Sequence, residues 1–240
     1  MREVGFLHQA NRFVDFLLRS PAAGKVAKVV VFGSAVKGTA TPDSDLDLLI
    51  VTRDGEAAAR EIDGVLLDFQ MQDAAPPLEI VTCSLGEIVP PMDYFLFNVL
   101  RYGKEVYSMP PEEMKKAAAA DLAALAREYL QAAEAALAGG HPRLAADGGY
   151  NAAELAVKGL ILLKEDDLPG SHGGIVQRFG LLYVQAGEVD RELGRQLNSA
   201  LRIRNAARYR YDATIRRQDV EDVLALGRRL VEHLGPLIPK

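Results

Sequence analysis

Between Val29 and Val51 the chain reads VVVFGSAVKGTATPDSDLDLLIV, two apolar runs with a Gly-Ser turn after the first and carboxylates at the head of the second. No other stretch limits the fold as tightly. Val29 to Phe32 has the length and branching of a buried strand. A small-residue connection of helical or loop character follows Gly33-Ser34, and a second strand opens on Asp45 and Asp47. Residues i and i+2 of a strand project from the same face, so both carboxylates point at one spot at the edge of a sheet. Two like charges held that close repel unless a cation lies between them. Hard oxygen ligation of this kind suits Mg²⁺, which takes one or two protein carboxylates and completes its shell with water and phosphates. A Gly directly after a strand lets the backbone approach a phosphate, and the amides of the next turn can donate to it. Ser34, and Ser44 beside the carboxylates, add candidate nucleotide-binding hydroxyls. The plain alternative is an acidic turn, Asp43, Asp45 and Asp47, running into a strand edge.

The 240 residues suffice for one large core or two modest ones, and a change of character near residue 110 favours two. No apolar run approaches the length that spans a bilayer, and the start MREVGFLHQANRF lacks the pattern of a signal peptide. A single cysteine, Cys83, cannot form an internal disulfide, so a reducing cytoplasm is the expected compartment. Its apolar surroundings suit buried filler better than a nucleophile. Residues 1–108 carry 10 Lys+Arg against 15 Asp+Glu, whereas 109–240 balance 18 against 18. Within the second half, Arg202, Arg204, Arg208, Arg210, Arg216 and Arg217 crowd together with only Asp212 to offset them. Such a cluster either holds RNA, phosphate or an acidic partner, or is a solvated helix end.

In chain order, helical spacing at Val4, Leu7, Ala10, Val14 and Leu17 predicts a leading helix over residues 3–18. A second helix is expected from Glu56 to about Gln72, then a third strand, Leu78 to Cys83. A Pro90-Pro91 break, a short helix around Tyr94 to Arg101 and a last strand within RYGKEVY follow. Everything after Pro111 reads as helix: Pro111 to Ala138 with apolar positions at Leu122, Leu125, Tyr129, Ala133 and Leu137, then Pro142 to Lys164, Ile175 to Ala186, Asp190 to about Tyr209, and Gln218 to Leu234. Short connections between long helices imply an antiparallel up-and-down bundle. The fold class is therefore α+β over 1–108, a small mixed sheet with helices, followed by an all-α bundle over 111–240.

Gly33-Ser34, ten residues, then Asp45-x-Asp47 between apolar strands resembles the signature of the DNA polymerase β-like nucleotidyltransferases. The resemblance implies transfer of a nucleoside monophosphate from an NTP, ATP above all, to an acceptor hydroxyl, with pyrophosphate leaving. It also implies a third carboxylate from a strand after an intervening helix, which matches Glu79, to complete a two-ion Mg²⁺ site. Lying between Leu78 and Ile80, Glu79 would otherwise be an awkward burial. Asp68, inside a helical stretch, is the competitor. The C-terminal half, with YNAAELAVKGLILL, LPGSHGGIVQRF and RNAARYRY, resembles a HEPN domain. HEPN ribonucleases carry Arg, four residues, then His; here Arg204 is followed at that spacing by Tyr209. A phenol cannot shuttle protons at neutral pH as an imidazole does, so ribonuclease chemistry is not expected. His172 reads as a satisfied loop histidine.

The layout is similar to that of the aminoglycoside nucleotidyltransferases, whose helical bundle supplies a carboxylate base for the acceptor. Glu128 and Glu154 are the candidates for that role. Minimal nucleotidyltransferases paired with HEPN partners resemble toxin-antitoxin systems in which a partner's tyrosine is modified, and Tyr211 falls at that position of the motif. A homodimer is expected by a separate analogy, that an active site opening between a small sheet domain and a helical bundle is often completed by a second copy. A regulatory or RNA-binding protein without ribonuclease activity is the alternative.

Overall fold

The computed structural model describes residues 2–41, 44–53, 55–72, 77–88 and 93–239, so Asp43 and the Pro90-Pro91 break lie outside the described residues. The chain divides into two units, residues 1–114 and 115–240. In the first, helix α1 (Arg2–Leu17) precedes strand β1 (Val26–Val31), a five-residue helix α2 (Gly33–Lys37) and strand β2 (Leu46–Thr52). Helix α3 (Gly55–Gln72), strand β3 (Leu78–Ser84), helices α4 (Leu85–Ile88) and α5 (Tyr94–Tyr102) and strand β4 (Lys104–Ser108) complete it. The sheet order is β3-β2-β1-β4. β1 is antiparallel to both β2 and β4, and β2 and β3 are parallel, joined by the α3 crossover that parallel pairing requires.

Strand alternation sorts this sheet into two chemically different faces. Val29, Val31, Leu46, Leu48, Ile50 and Leu78 share one core with Phe13, Val14 and Leu17 of α1 and Ile62, Val65 and Phe69 of α3. Phe13 meets Phe69 edge-on, their rings 5.3 Å apart. The intervening positions, Val30, Phe32, Asp47, Leu49 and Glu79, therefore belong to the opposite face. That face is partly covered by α5: a Cβ on Gly103 at its end would stand 2.5 Å from Val30 Cγ1, and the Phe95 ring lies 5.5 Å from Phe32. Cys83 is buried, and burial, with Glu87 and Asp93 nearby, pushes its thiol up to about 12.

The second unit is helical: α6 (Pro111–Ala138), whose first turn precedes the division at residue 115, α7 (Pro142–Leu162), α8 (His172–Phe179) with a π-helical turn over Gly180–Val184, α9 (Arg191–Tyr209) and α10 (Arg217–Leu234). Residue pairs give the directions. Gly148 faces Ala133 and Gly159 faces Ala119, so α7 runs against α6. Arg143 meets Ala207 and Asp147 meets Arg204, so α9 runs against α7. Gly149 packs on Leu224 and Gly159 on Leu234, so α10 runs with α7. The result is an up-and-down bundle in which the two co-directed helices touch through glycine.

Two expectations for this unit change. The buried stripe of α6 is Ala119, Ala123, Ala126, Leu130, Ala133 and Leu137, whereas Leu125 and Tyr129 are exposed. Alanine faces let α6 approach the glycines of α7 closely, and that close approach outweighs burial of the two larger side chains. Helix α8 begins at His172 rather than Ile175 because the Ser171 hydroxyl accepts from the Gly174 amide at 3.1 Å and caps it. Among the described residues no helix is long and apolar enough to cross a membrane.

Candidate active site

The turn after β1 is built around one contact. Gly33 takes φ +69°, and a Cβ there would lie 1.8 Å from Asp47 Oδ2. Only glycine fits, both because the backbone is left-handed and because the carboxylate occupies the place of a side chain. The Asp47 carbonyl accepts from the Phe32 amide at 3.0 Å, and the Asp47 carboxylate accepts from the Ser34 amide. Asp47 is thus fixed at both ends against the Gly-Ser turn. The Ser34 amide, expected to donate to phosphate, is engaged by Asp47 instead, which leaves the Ser34 hydroxyl as the group on offer.

Burial raises the Asp47 carboxyl above its ordinary value; the Ser34 amide lowers it, the neighbouring Asp45 charge raises it, and Lys37 pulls it down. Asp45 is exposed, one residue before β2. Glu79 is the parallel-register partner of Asp47 on the adjacent strand, so its side chain leaves the sheet on the same face. It is exposed on the outermost strand, so the expected awkward burial does not arise. Asp68 is exposed on α3. The Ser44 hydroxyl accepts from the Thr41 amide at 2.8 Å, an engagement within its own loop.

The donor set fits a hard divalent cation. It is carboxylate oxygen without sulfur or imidazole, and one member is held in a state that an added positive charge would relieve. Among the described residues no group of three His, Cys, Asp or Glu is gathered as a ready-made metal cage. Two carboxylates nevertheless match what Mg²⁺ takes from a protein when phosphates and water complete its shell.

The helical unit holds a second polar centre. Buried Glu154 accepts from Tyr150 Oη at 2.8 Å, lies 3.0 Å from Lys158 Nζ and contacts His172 Nδ1 at 2.5 Å. Burial works to raise this carboxyl, but the hydrogen bonds from His172, Lys158 and Tyr150 outweigh it and hold it below the ordinary value. The same burial, with Glu154 alongside, drives the Tyr150 phenol upward. Tyr150, Glu154 and Lys158 share one face of α7 at four-residue spacing; nothing local in the sequence signals His172, which the α7–α8 connection delivers. Glu128 lies exposed on α6.

Arg204 is buried beside Asp147, its Nε 3.1 Å from Oδ1 but not aligned for a hydrogen bond. Its Nη1 reaches Asn205 and, at 3.4 Å, the Tyr209 hydroxyl. The arginine cluster is largely neutralised from outside its own stretch of sequence. Arg208 also pairs with Asp147, Arg216 with Asp219 and Arg217 with Glu221. Arg143, which the sequence did not single out, donates to the carbonyls of Ala207, Arg210, Tyr211 and Ala213 and fixes the end of α9. Tyr211 beyond it is 97% exposed.

Comparison with known proteins gives two family matches: a nucleotidyltransferase domain over residues 11–103 and a HEPN domain over residues 119–235. No curated protein matches the chain. Among solved structures, a nucleotidyltransferase-like protein from Exiguobacterium sibiricum 255-15 is 10% identical with a TM-score of 0.39, over 93% of this chain and 75% of that one. Spectinomycin adenyltransferase AAD(9) from Enterococcus faecialis, solved with ATP and spectinomycin, is 14% identical with a TM-score of 0.34, over 95% and 99%. Scores this low have no bearing on the site. The two family matches divide the chain where its sheet gives way to helices, and the protein joins a nucleotidyltransferase domain to a HEPN domain.

Proposed function

We propose that the protein moves a nucleoside monophosphate from an NTP to an acceptor hydroxyl and releases pyrophosphate, with Asp45 and Asp47 as the ligands of Mg²⁺ and Glu79 as the third carboxylate of a two-ion site. Nucleotidyl transfer as the general activity follows from the family match. The observation that carries the finer reading is the seating of the Asp47 carboxylate in the space of a Gly33 side chain. It brings a metal-type carboxylate and a phosphate-type turn to one point.

In this reading the Ser34 hydroxyl, and less directly Ser44, donate to the β- and γ-phosphates. Asp45 and Asp47 would hold the ion, which would neutralise charge on the triphosphate, and the acceptor oxygen attacks in line with the α-phosphorus. The new O–P bond forms as the bond to the pyrophosphate oxygen breaks, and the hydroxyl proton leaves to a base. Bound Mg²⁺ supplies neutralisation of phosphate charge, and positioning supplies much of the remaining rate. Glu154 is a poor candidate for the base, because three donors already hold it in its charged form. The test is pyrophosphate release from Mg-NTP: Asp47→Asn should abolish it, and release that persists unchanged in that variant overturns the reading.

One observation favours a second reading of the acceptor. Tyr211 offers a fully exposed phenol on a backbone that Arg143 pins through the Tyr211 carbonyl, 3.1 Å from Nη2. Incubation with Mg-ATP followed by peptide mass spectrometry should then find a nucleotide-sized adduct on Tyr211, absent in Tyr211→Phe. An unmodified Tyr211 leaves a separate acceptor.

A further inference from the structure

We infer that Phe32 and Phe95 form the stacking platform for the nucleobase of the bound triphosphate. The inference rests on the reading above and adds to it the part of the substrate that the carboxylates and the Gly-Ser turn do not touch.

Phe32 is the residue before Gly33 and hydrogen-bonds through its amide to the Asp47 carbonyl at 3.0 Å. Register continues from Val31–Leu48, so Phe32 stands opposite Asp47 on the carboxylate face. The Phe95 ring meets it at 5.5 Å and 83°. The pair is not closed off from solvent, since Phe95 is 43% exposed beside the strand position that follows Val31–Leu48 toward Asp47.

Helix α5 is built to present Phe95 there. The Asp93 carboxylate caps it by accepting from the Leu96 amide at 2.7 Å, and Leu96 and Val99 are its buried residues. Gly103 presses its end onto β1: a Cβ there would lie 2.9 Å from the Val31 carbonyl oxygen. With the helix so fixed, Phe95 remains 43% exposed, Phe97 45% and Tyr94 81%. Tyr102, at 66%, makes four exposed aromatics on nine residues, with the Arg101 guanidinium over the Phe97 and Tyr102 rings; such exposure beside a polar centre marks a ligand surface. A nucleobase is the occupant that the position selects. A triphosphate whose β- and γ-phosphates lie at Gly33-Ser34 places its base one α-phosphate and one ribose beyond them, and every base has a π-face for an aromatic ring to meet.

Calorimetric binding of ATP and of inorganic tripolyphosphate, each with Mg²⁺, tests this with wild-type protein, Phe95→Leu, which keeps apolar packing without the π-face, and Phe95→Trp. The expected result is about 5- to 100-fold weaker ATP binding in Phe95→Leu, the span of one base–aromatic stack. Tripolyphosphate affinity should be unchanged, and ATP affinity kept or improved in Phe95→Trp. Equal ATP affinity in wild type and Phe95→Leu overturns the platform and leaves the transferase reading standing. So does a parallel loss for both ligands, or a loss seen only in acceptor KM. Wild-type protein that binds neither ligand overturns the transferase reading itself.

Discussion

Two carboxylates, one in each unit, meet their surroundings in opposite ways. Asp47 lies against a glycine with the Ser34 amide as its donor and Asp45 as a like-charged neighbour, and its carboxyl is raised. Glu154 is more deeply buried yet surrounded by Tyr150, Lys158 and His172, and its carboxyl is lowered. Depth alone would predict the reverse order. What decides is the count of donors: Glu154 is compensated by the protein, whereas Asp47 is left with a deficit of positive charge. A group left in deficit is a place for a cation or a ligand, and a group already satisfied is part of the framework.

The largest effect expected from this contrast is on activity. Asp47→Asn should lower Mg-dependent pyrophosphate release by roughly a hundredfold or more, without lowering Tm, because a charge the fold holds at a cost is removed. Glu154→Ala should do the opposite, destabilising by about 3 kcal/mol in chemical denaturation, since the buried Tyr150 hydroxyl and the Lys158 ammonium lose their shared acceptor, with pyrophosphate release per folded molecule kept. A variant pair in which activity follows Glu154 and stability follows Asp47 would dissolve the comparison. Gly33→Ala should combine both losses. Its positive φ and the Asp47 contact cost about 1–3 kcal/mol, and the displaced carboxylate no longer faces the turn. A thermal melt and a pyrophosphate assay on the same preparation read the two parts.

How much of this the sequence disclosed depends on whether a residue's partner is near in the chain. The strand-turn-strand pattern around Gly33 and Asp47 is local, and the register that sets Glu79 beside Asp47 follows from a single α3 crossover. The limits of α6 were legible, Pro111 and Ala138 beginning and ending it as expected, whereas the start of α8 behind its Ser171 cap was not. Side-chain partners brought in by distant segments were not. His172 reaches Glu154 across the α7–α8 connection, Asp147 draws in Arg204 and Arg208 from α9, and Phe95 arrives at Phe32 from 63 positions away. Composition made residues 202–217 look like a basic patch, because Asp147, Asp219 and Glu221 lie outside that window. The alanine stripe of α6 was missed for another reason: periodicity weights large side chains, and close helix packing rewards small ones.

The smallest expected effect, and the sharpest for the comparison, is on the pH dependence of stability. Glu154 has a folded value below the ordinary carboxyl near 4.5, so its contribution is fully present above that value and is lost as pH falls through the folded one. Asp47 has a folded value above the ordinary 3.8, so protonation favours the folded state: its contribution is present below 3.8 and is lost as pH rises through the raised value. Around pH 4 the two slopes therefore oppose each other. Melts of the intact chain from pH 3 to 7 should show that Glu154→Gln flattens the acid-side loss of Tm and that Asp47→Asn steepens it, each by no more than a few degrees. Mg²⁺ should shift only the Asp47 part, since a cation at that carboxylate lowers its folded value and removes its slope, and the slope that belongs to Glu154 should be the same with and without the metal.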